Sequence, residues 1–273
     1  MYRPIRTQIL FLALALLVLP KRAAAGEATG RFERTLTVSG AVDLDVETGA
    51  GRITVRTGDI NSVRVAGLVT VKSTFWRGSG SPEEKVRAIE SKPPIEQFGS
   101  TIRIGRIRDE GLRRDLFIDY EIVVPADTTL RADTGLGDIV AGGIRRTVKA
   151  NTGAGTIRLT DIAGDVTAET GLGDVEIRGA KGSVRANTGA GKIRVEGEAL
   201  SSWRLNTGLG DVYVAINGSR GFDVRAHTGL GSVHSKLPLT IDGSIVASDV
   251  RGKVRGGGPL VDINTGAGSI SIE

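Results

Sequence analysis

The chain has 273 residues, with 36 basic and 31 acidic side chains, a net charge of +5, 39 glycines and no cysteine. The missing thiols exclude disulfides, thiolate metal sites, a cysteine nucleophile and a lipid-anchoring cysteine. Aromatic residues make up only 4%, and a chain rich in Gly, Val and Ile but poor in aromatics suits many short strands and tight turns better than a packed α/β core.

At the N-terminus, Arg3 and Arg6 precede an apolar run, Ile9 to Leu19, followed by Pro20 and Ala23-Ala24-Ala25. A positive start, a short apolar run and a small-residue site are the layout of a secretory signal peptide, predicted over residues 1–25. The run is well short of the ~20 residues that a membrane span needs. No second run follows it, so the mature chain is expected to have no transmembrane segment. Four basic residues (Arg3, Arg6, Lys21 and Arg22) lie in that segment with no acid among them, which leaves 32 basic against 31 acidic residues. A chain so close to neutral has no electrostatic footprint for nucleic acid, and none is expected as a partner.

Residues 26–129 read as an irregular β part. Segments 35–38, 41–46, 52–55, 62–71, 101–107 and 117–124 have strand character. Ser81-Pro82-Glu83-Glu84 opens a short helix near 81–91, with Ser81 as its cap, Pro82 at its first position, and Lys92-Pro93-Pro94 ending it. An atypical end with a helix is what capping a repeat array requires.

Residues 130–273 carry the repeat. Thr-Gly-Ala/Leu-Gly recurs from Thr134, Thr152, Thr170, Thr188, Thr207, Thr228 and Thr265, with an outlying copy at Thr48. The steps are 18, 18, 18, 19, 21 and 37; the last reads as a double step, because residues 248–254 fit the same frame in degenerate form. Each unit holds two segments of period two, the mark of half-buried strands, each closed by a turn bearing Gly. One coil cannot bury its apolar face alone, so neighbours must stack. The expected inner ladder is Leu130, Val148, Val166, Val184, Trp203, Val224. The Thr row lies on the same inward face, where hydroxyls can satisfy turn backbone. Leu136, Ala154, Leu172, Ala190 and Leu209 alternate large with small at the corner. The fold class is therefore an all-β, single-stranded β-solenoid (a parallel β-helix) with coils of about 18 residues, right-handed by the crossover rule.

Sites for chemistry are few. Gly153-Ala154-Gly155 runs into a strand rather than the helix that a phosphate loop needs. Asp138, Asp174 and Asp211 follow the second Gly, but Thr156 and Lys192 hold that position in the coils between, which disfavours a calcium cage. Asp174 and Asp211 occupy a repeated turn position, unlike a glycosidase pair. His227 and His234, the only histidines, suggest no third ligand. No catalytic, cofactor or metal residues are assigned, and no cofactor is expected. One surface feature stands out: Arg131, Lys149, Arg185, Arg204 and Arg225 share the outward position of the second strand, with Thr167 among them. This basic stripe is a candidate site for an anionic partner.

The Thr-Gly-x-Gly-Asp/Lys-Ile/Val units, with Phe32-Glu33-Arg34-Thr35-Leu36-Thr37-Val38 and Tyr120-Glu121-Ile122-Val123-Val124-Pro125, resemble the bacterial putative-adhesin family of β-strand-repeat domains. That family is of unknown molecular function and is similar to head domains of autotransporter adhesins. The resemblance covers roughly residues 32–273. It implies a β-solenoid on the cell envelope, and it carries no catalytic or ligand residues to transfer. The expected protein is exported (periplasmic, cell-surface or extracellular) and non-enzymatic. It would bind an anionic envelope polymer, a lipid head group or a surface protein. A polysaccharide-active enzyme on the same fold, or a purely structural envelope spacer, are the alternatives.

Overall fold

Along nearly every strand, buried and exposed side chains alternate, the pattern of a sheet with one face on a core and the other in water. The computed structural model describes residues 27–58, 61–72, 81–238, 240–241 and 248–273, and the predicted signal peptide lies outside them. The described chain is all-β. An 11-stranded and a 12-stranded sheet, both mostly parallel, enclose one continuous apolar core.

The first elements are β1 (Glu27–Thr37), β2 (Val42–Ala50), β3 (Ile53–Thr57), β4 (Ser62–Lys72), α1 (Pro82–Ser91), β5 (Ile95–Phe98), β6 (Thr101–Ile104), α2 (Glu110–Arg113) and β7 (Leu116–Val124). Every strand expected here is present, although β6 stops at Ile104, where Gly105 takes φ +91°. The helix starts as read: Ser81 Oγ accepts the Glu84 N–H, and the Glu84 carboxylate accepts the Ser81 N–H. Buried Val86 and Ile89 pack α1 against β1. A Cβ on Gly30 would lie 2.3 Å from Val86 Cγ1, so the helix needs glycine there.

Next come β8 (Thr128–Leu136), β9 (Ile139–Gly142), β10 (Val148–Ala154), β11 (Ile157–Thr160), β12 (Val166–Leu172), β13 (Val175–Ala180), β14 (Val184–Ala190), β15 (Ile193–Gly197), β16 (Trp203–Leu209) and β17 (Val212–Ile216). Even-numbered strands join the larger sheet and odd-numbered ones the smaller, each parallel to the strand of the coil before. The register is that of the repeat, as in Val148↔Val166 and Ile157↔Val175. The Thr48 copy is a full member of this stack. β2 pairs with β8 (Thr48↔Thr134) and β3 with β9, so residues between β3 and β8 form an excursion that folds back over the N-terminal end.

The C-terminal elements are β18 (Phe222–Leu230), β19 (Val233–Ser235), β20 (Thr240–Ile241), β21 (Asp249–Val254), β22 (Leu260–Ala267) and β23 (Ile270–Ile272). Here the chain-order reading needs two corrections. β22 lies between β16 and β18, and β23 between β17 and β19, so the inner ladder runs Trp203, Val261, Val224. The segment 248–254 is no parallel coil: β21 runs antiparallel to β18, with Arg225 opposite Arg251. Alternation alone cannot tell the two directions apart, and this segment lacks the Thr-Gly-x-Gly corner that sends the other strands onward.

Candidate functional site

The recurring motif is architectural, and the geometry shows why each residue type is needed. Each motif Thr from Thr134 onward is buried and donates its hydroxyl to the carbonyl of the second Gly one coil away, as in Thr152 to Gly137 (2.9 Å), Thr170 to Gly155 (3.0 Å) and Thr188 to Gly173 (2.9 Å), whereas Thr48 in the first coil donates to Ala50 within its own turn. The second Gly has φ +139° at Gly173 and +152° at Gly155, and a Cβ on Gly173 would lie 2.1 Å from the Gly155 carbonyl oxygen. Only glycine fits both the backbone and the stacking distance. The Asp row acts in the same frame. Asp138, Asp174 and Asp211 each accept a backbone N–H of the neighbouring coil, from Thr156, Lys192 and Ser269 at 2.8–2.9 Å. Asp174 and Asp211 are thus turn caps with a coil bearing Lys192 between them. Among the described residues no three His, Cys, Asp or Glu side chains are placed to hold a metal ion.

With the motif assigned to architecture, chemistry falls to the outward positions. On the smaller sheet these charges are largely neutralised. Glu176 faces Arg158 (3.6 Å) and also meets Arg178. Arg194 pairs with Glu196 (2.6 Å) and lies over the Tyr213 ring at 4.2 Å. Tyr213 donates to Glu273 at 2.6 Å, and Lys236 also pairs with Glu273. These bonds raise the Tyr213 phenol and lower the Glu273 carboxyl from their ordinary values.

The larger sheet differs. Arg131, Lys149, Thr167, Arg185 and Arg204 lie side by side in register on β8, β10, β12, β14 and β16, all but Thr167 exposed. Arg225 is not adjacent to Arg204, because β22 puts Asp262 between them, 3.6 Å from Arg204. Arg131 is paired with Asp133 at 2.7 Å, a hydrogen bond that raises the guanidinium pKa further. Among the described residues, Lys149, Arg185 and Arg225 make no ion pair. The expected stripe is thus two pairs of adjacent cations, Arg131 with Lys149 and Arg185 with Arg204, separated by Thr167, with Arg225 beyond an acid.

Two residues further along the strands runs a second row: Glu47, Asp133, Asn151, Glu169, Asn187, Asn206, Asn264 and His227. Its amides donate along the stack: Asn151 to Asp133 (2.7 Å), Asn187 to Glu169 (3.1 Å), Asn206 to Asn187 (2.9 Å) and Asn264 to Asn206 (3.1 Å). His227 is exposed in the row, as its sequence position implied. The N-terminal half of this row borders a cleft of about 1330 Å³ whose other wall is the segment carrying α2. Sequence reading missed the cleft, because Glu47 and Tyr120 reach it only through the long-range β2–β8 and β3–β7 pairings. The Thr48 motif copy was the one available signal.

Fold and surface together define a β-strand-repeat protein whose recurring motif holds the stack and whose outward positions vary from coil to coil. The chain belongs to the Toastrack DUF4097 family, a domain family of unknown function that matches residues 121–273. No curated protein matches the chain. Similar solved structures include a putative cell adhesion protein from Clostridium sporogenes, with 15% identity and TM-score 0.38 over 90% of this chain and 99% of that one. A putative adhesin from Bacteroides fragilis has 11% identity and TM-score 0.33 over 89% and 97%. Likenesses this distant carry no argument about activity.

Proposed function

We propose that the protein is an exported, non-enzymatic β-solenoid of the cell envelope, right-handed with coils of about 18 residues. It binds an anionic envelope polymer or lipid head group through the row Arg131, Lys149, Arg185 and Arg204. The observation that carries this reading is the contrast between the two sheets. Acids pair with most outward cations of the smaller sheet, whereas Lys149 and Arg185, on either side of Thr167, are exposed and without an acidic partner. Each has a cation on the adjoining strand, Arg131 beside Lys149 and Arg204 beside Arg185; like charges in register on neighbouring strands repel, and an anionic partner relieves that repulsion. The strand registers that put coils 18 residues apart support the winding. The signal-peptide layout of residues 1–25 supports export, and Asp residues engaged as turn caps support a binding role over a catalytic one.

The test is co-sedimentation of the exported protein with vesicles of anionic lipid, with purified lipopolysaccharide and with peptidoglycan. Lys149→Glu/Arg185→Glu is compared with wild type at low and moderate salt, and Arg225→Glu serves as the control beyond Asp262. Binding that weakens with salt, is lost in the double variant and survives in the control is the expected result. Equal binding by wild type and double variant, or none by wild type, refutes the reading.

A further inference from the structure

The larger sheet also carries a lane without side chains. Gly49, Gly135, Gly153, Gly171 and Gly189 occupy the outward position after each motif Thr, in register on β2, β8, β10, β12 and β14. One edge of this lane is the row of acids and amides. Beyond the other are the motif leucines, of which Leu136 and Leu172 are about 60% exposed. At the N-terminal end, Ile107, Glu110, Arg113 and Arg114 face the lane across the cleft.

The free hydrogen-bonding groups define a ligand. Asp133 accepts from Arg131 and Asn151, one bond to each carboxylate oxygen. Glu169 uses one oxygen for Asn187, and among the described residues Glu47 and the second Glu169 oxygen have no hydrogen-bond partner. These are acceptors. On the facing wall, Arg113 and Arg114 present donors to the same space. At the inner end lies Tyr120, 1% exposed, whose hydroxyl has no hydrogen-bond partner. Acceptors on one wall and donors on the other suit a neutral chain of hydroxyl groups, which supplies both kinds of partner at every unit. The spacing is also informative. Within the cleft, acid and exposed leucine occur together in two coils, Asp133 with Leu136 and Glu169 with Leu172, two strand spacings or about 9.6 Å apart. That is close to the length of a disaccharide in an extended β-1,4-linked chain.

We propose that the cleft and glycine lane bind an extended, neutral, β-1,4-linked polysaccharide running along the stacking axis. This site is separate from the basic row, and its binding is independent of salt, so either reading can fail alone. The probes are cellohexaose and chitohexaose, titrated calorimetrically into the exported protein. At least one binds, equally at low and high salt. Glu47→Ala/Glu169→Ala weakens that binding about tenfold or more, the scale of one or two lost hydrogen bonds. Tyr120→Phe weakens it a few-fold while leaving thermal unfolding unchanged or raised, because the hydroxyl it deletes is unsatisfied without ligand. Asn187→Ala repeats the test if the double variant does not fold. The proposal is overturned if neither hexasaccharide binds at millimolar concentration, or if the cleft variants bind as wild type. A preference for acidic oligosaccharides that fades with salt would also overturn it.

Discussion

Gly173→Ala tests the stacking argument most directly. The added Cβ would lie 2.1 Å from the Gly155 carbonyl oxygen, where an unstrained C···O contact needs about 3.3 Å. Relief requires the two coils to part by about 1.2 Å on a strand spacing of about 4.8 Å. Two bonds tie this corner to the coil before it: Gly155 N–H to Leu172 O at 2.8 Å, and Thr170 Oγ1 to Gly155 O at 3.0 Å. Losing both costs about 2 kcal/mol, and an L side chain at φ +139° adds about 1–2 kcal/mol. The expected loss is about 3–4 kcal/mol, a large fraction of an ordinary domain's stability. Gly49→Ala is the matched control, because the first motif Gly of the N-terminal coil has nothing within 4 Å of its Cβ; it should change stability by no more than about 0.5 kcal/mol. Urea unfolding followed by far-UV circular dichroism compares the three proteins, and hydrogen exchange localises the loss to β12 and β13. If Gly49→Ala proves as damaging as Gly173→Ala, stacking clash is not why the motif needs glycine.

Thr170→Val keeps the shape and removes the hydroxyl bonded to Gly155; it should cost about 1 kcal/mol in urea unfolding, and a neutral result would show that the Thr row contributes only shape. Trp203 is 1% exposed and fills a ladder position held by valine in neighbouring coils; Trp203→Ala should cost about 3–5 kcal/mol, and a loss under about 1 kcal/mol would mean that the site collapses around the cavity. Asp165 is held below the ordinary carboxylate value by bonds from the Ser183 hydroxyl (2.7 Å) and N–H (2.9 Å). A lowered folded-state pKa stabilises above the unfolded value of about 4 and is lost as pH falls through it. The stability gap between wild type and Ser183→Ala should therefore narrow below about pH 4; a gap constant with pH refutes the assignment.

Local chemistry was legible in the sequence and long-range order was not. Period-two alternation fixed which residues of Val184–Ala190 face the core, and Ser81-Pro82-Glu83-Glu84 announced the start of α1, because both depend only on near neighbours. The stripe residues were placed on the correct face for the same reason. Their adjacency was not readable: whether Arg225 follows Arg204 depends on which strand pairs with β16, and the competing strand lies about 40 residues further along the chain than β18. The cleft depends likewise on β2 meeting β8 across an excursion that contains two helices and three strands besides β7.

A rule within the motif nevertheless encodes the C-terminal order. In chain order the corner residues end Leu209, Leu230, Ala267, which breaks the large–small alternation. In the spatial order of the strands they read Ala50, Leu136, Ala154, Leu172, Ala190, Leu209, Ala267, Leu230, unbroken across eight coils. The same insertion separates Arg204 from Arg225 with Asp262, extends the amide chain from Asn206 to Asn264, and lets Thr265 bond Gly210 while Thr228 bonds Gly268. Pairing β18 directly with β16 would put leucine beside leucine and break the large–small alternation. The unit the stack recognises is therefore two coils rather than one: a Leu coil and an Ala coil, with three of the Leu coils supplying the Asp that caps an N–H of the Ala coil stacked on it. A last coil of the Ala type fits between two of the Leu type wherever it lies in the sequence, and this is the physical reason that β22 and β23 return into the stack instead of extending it.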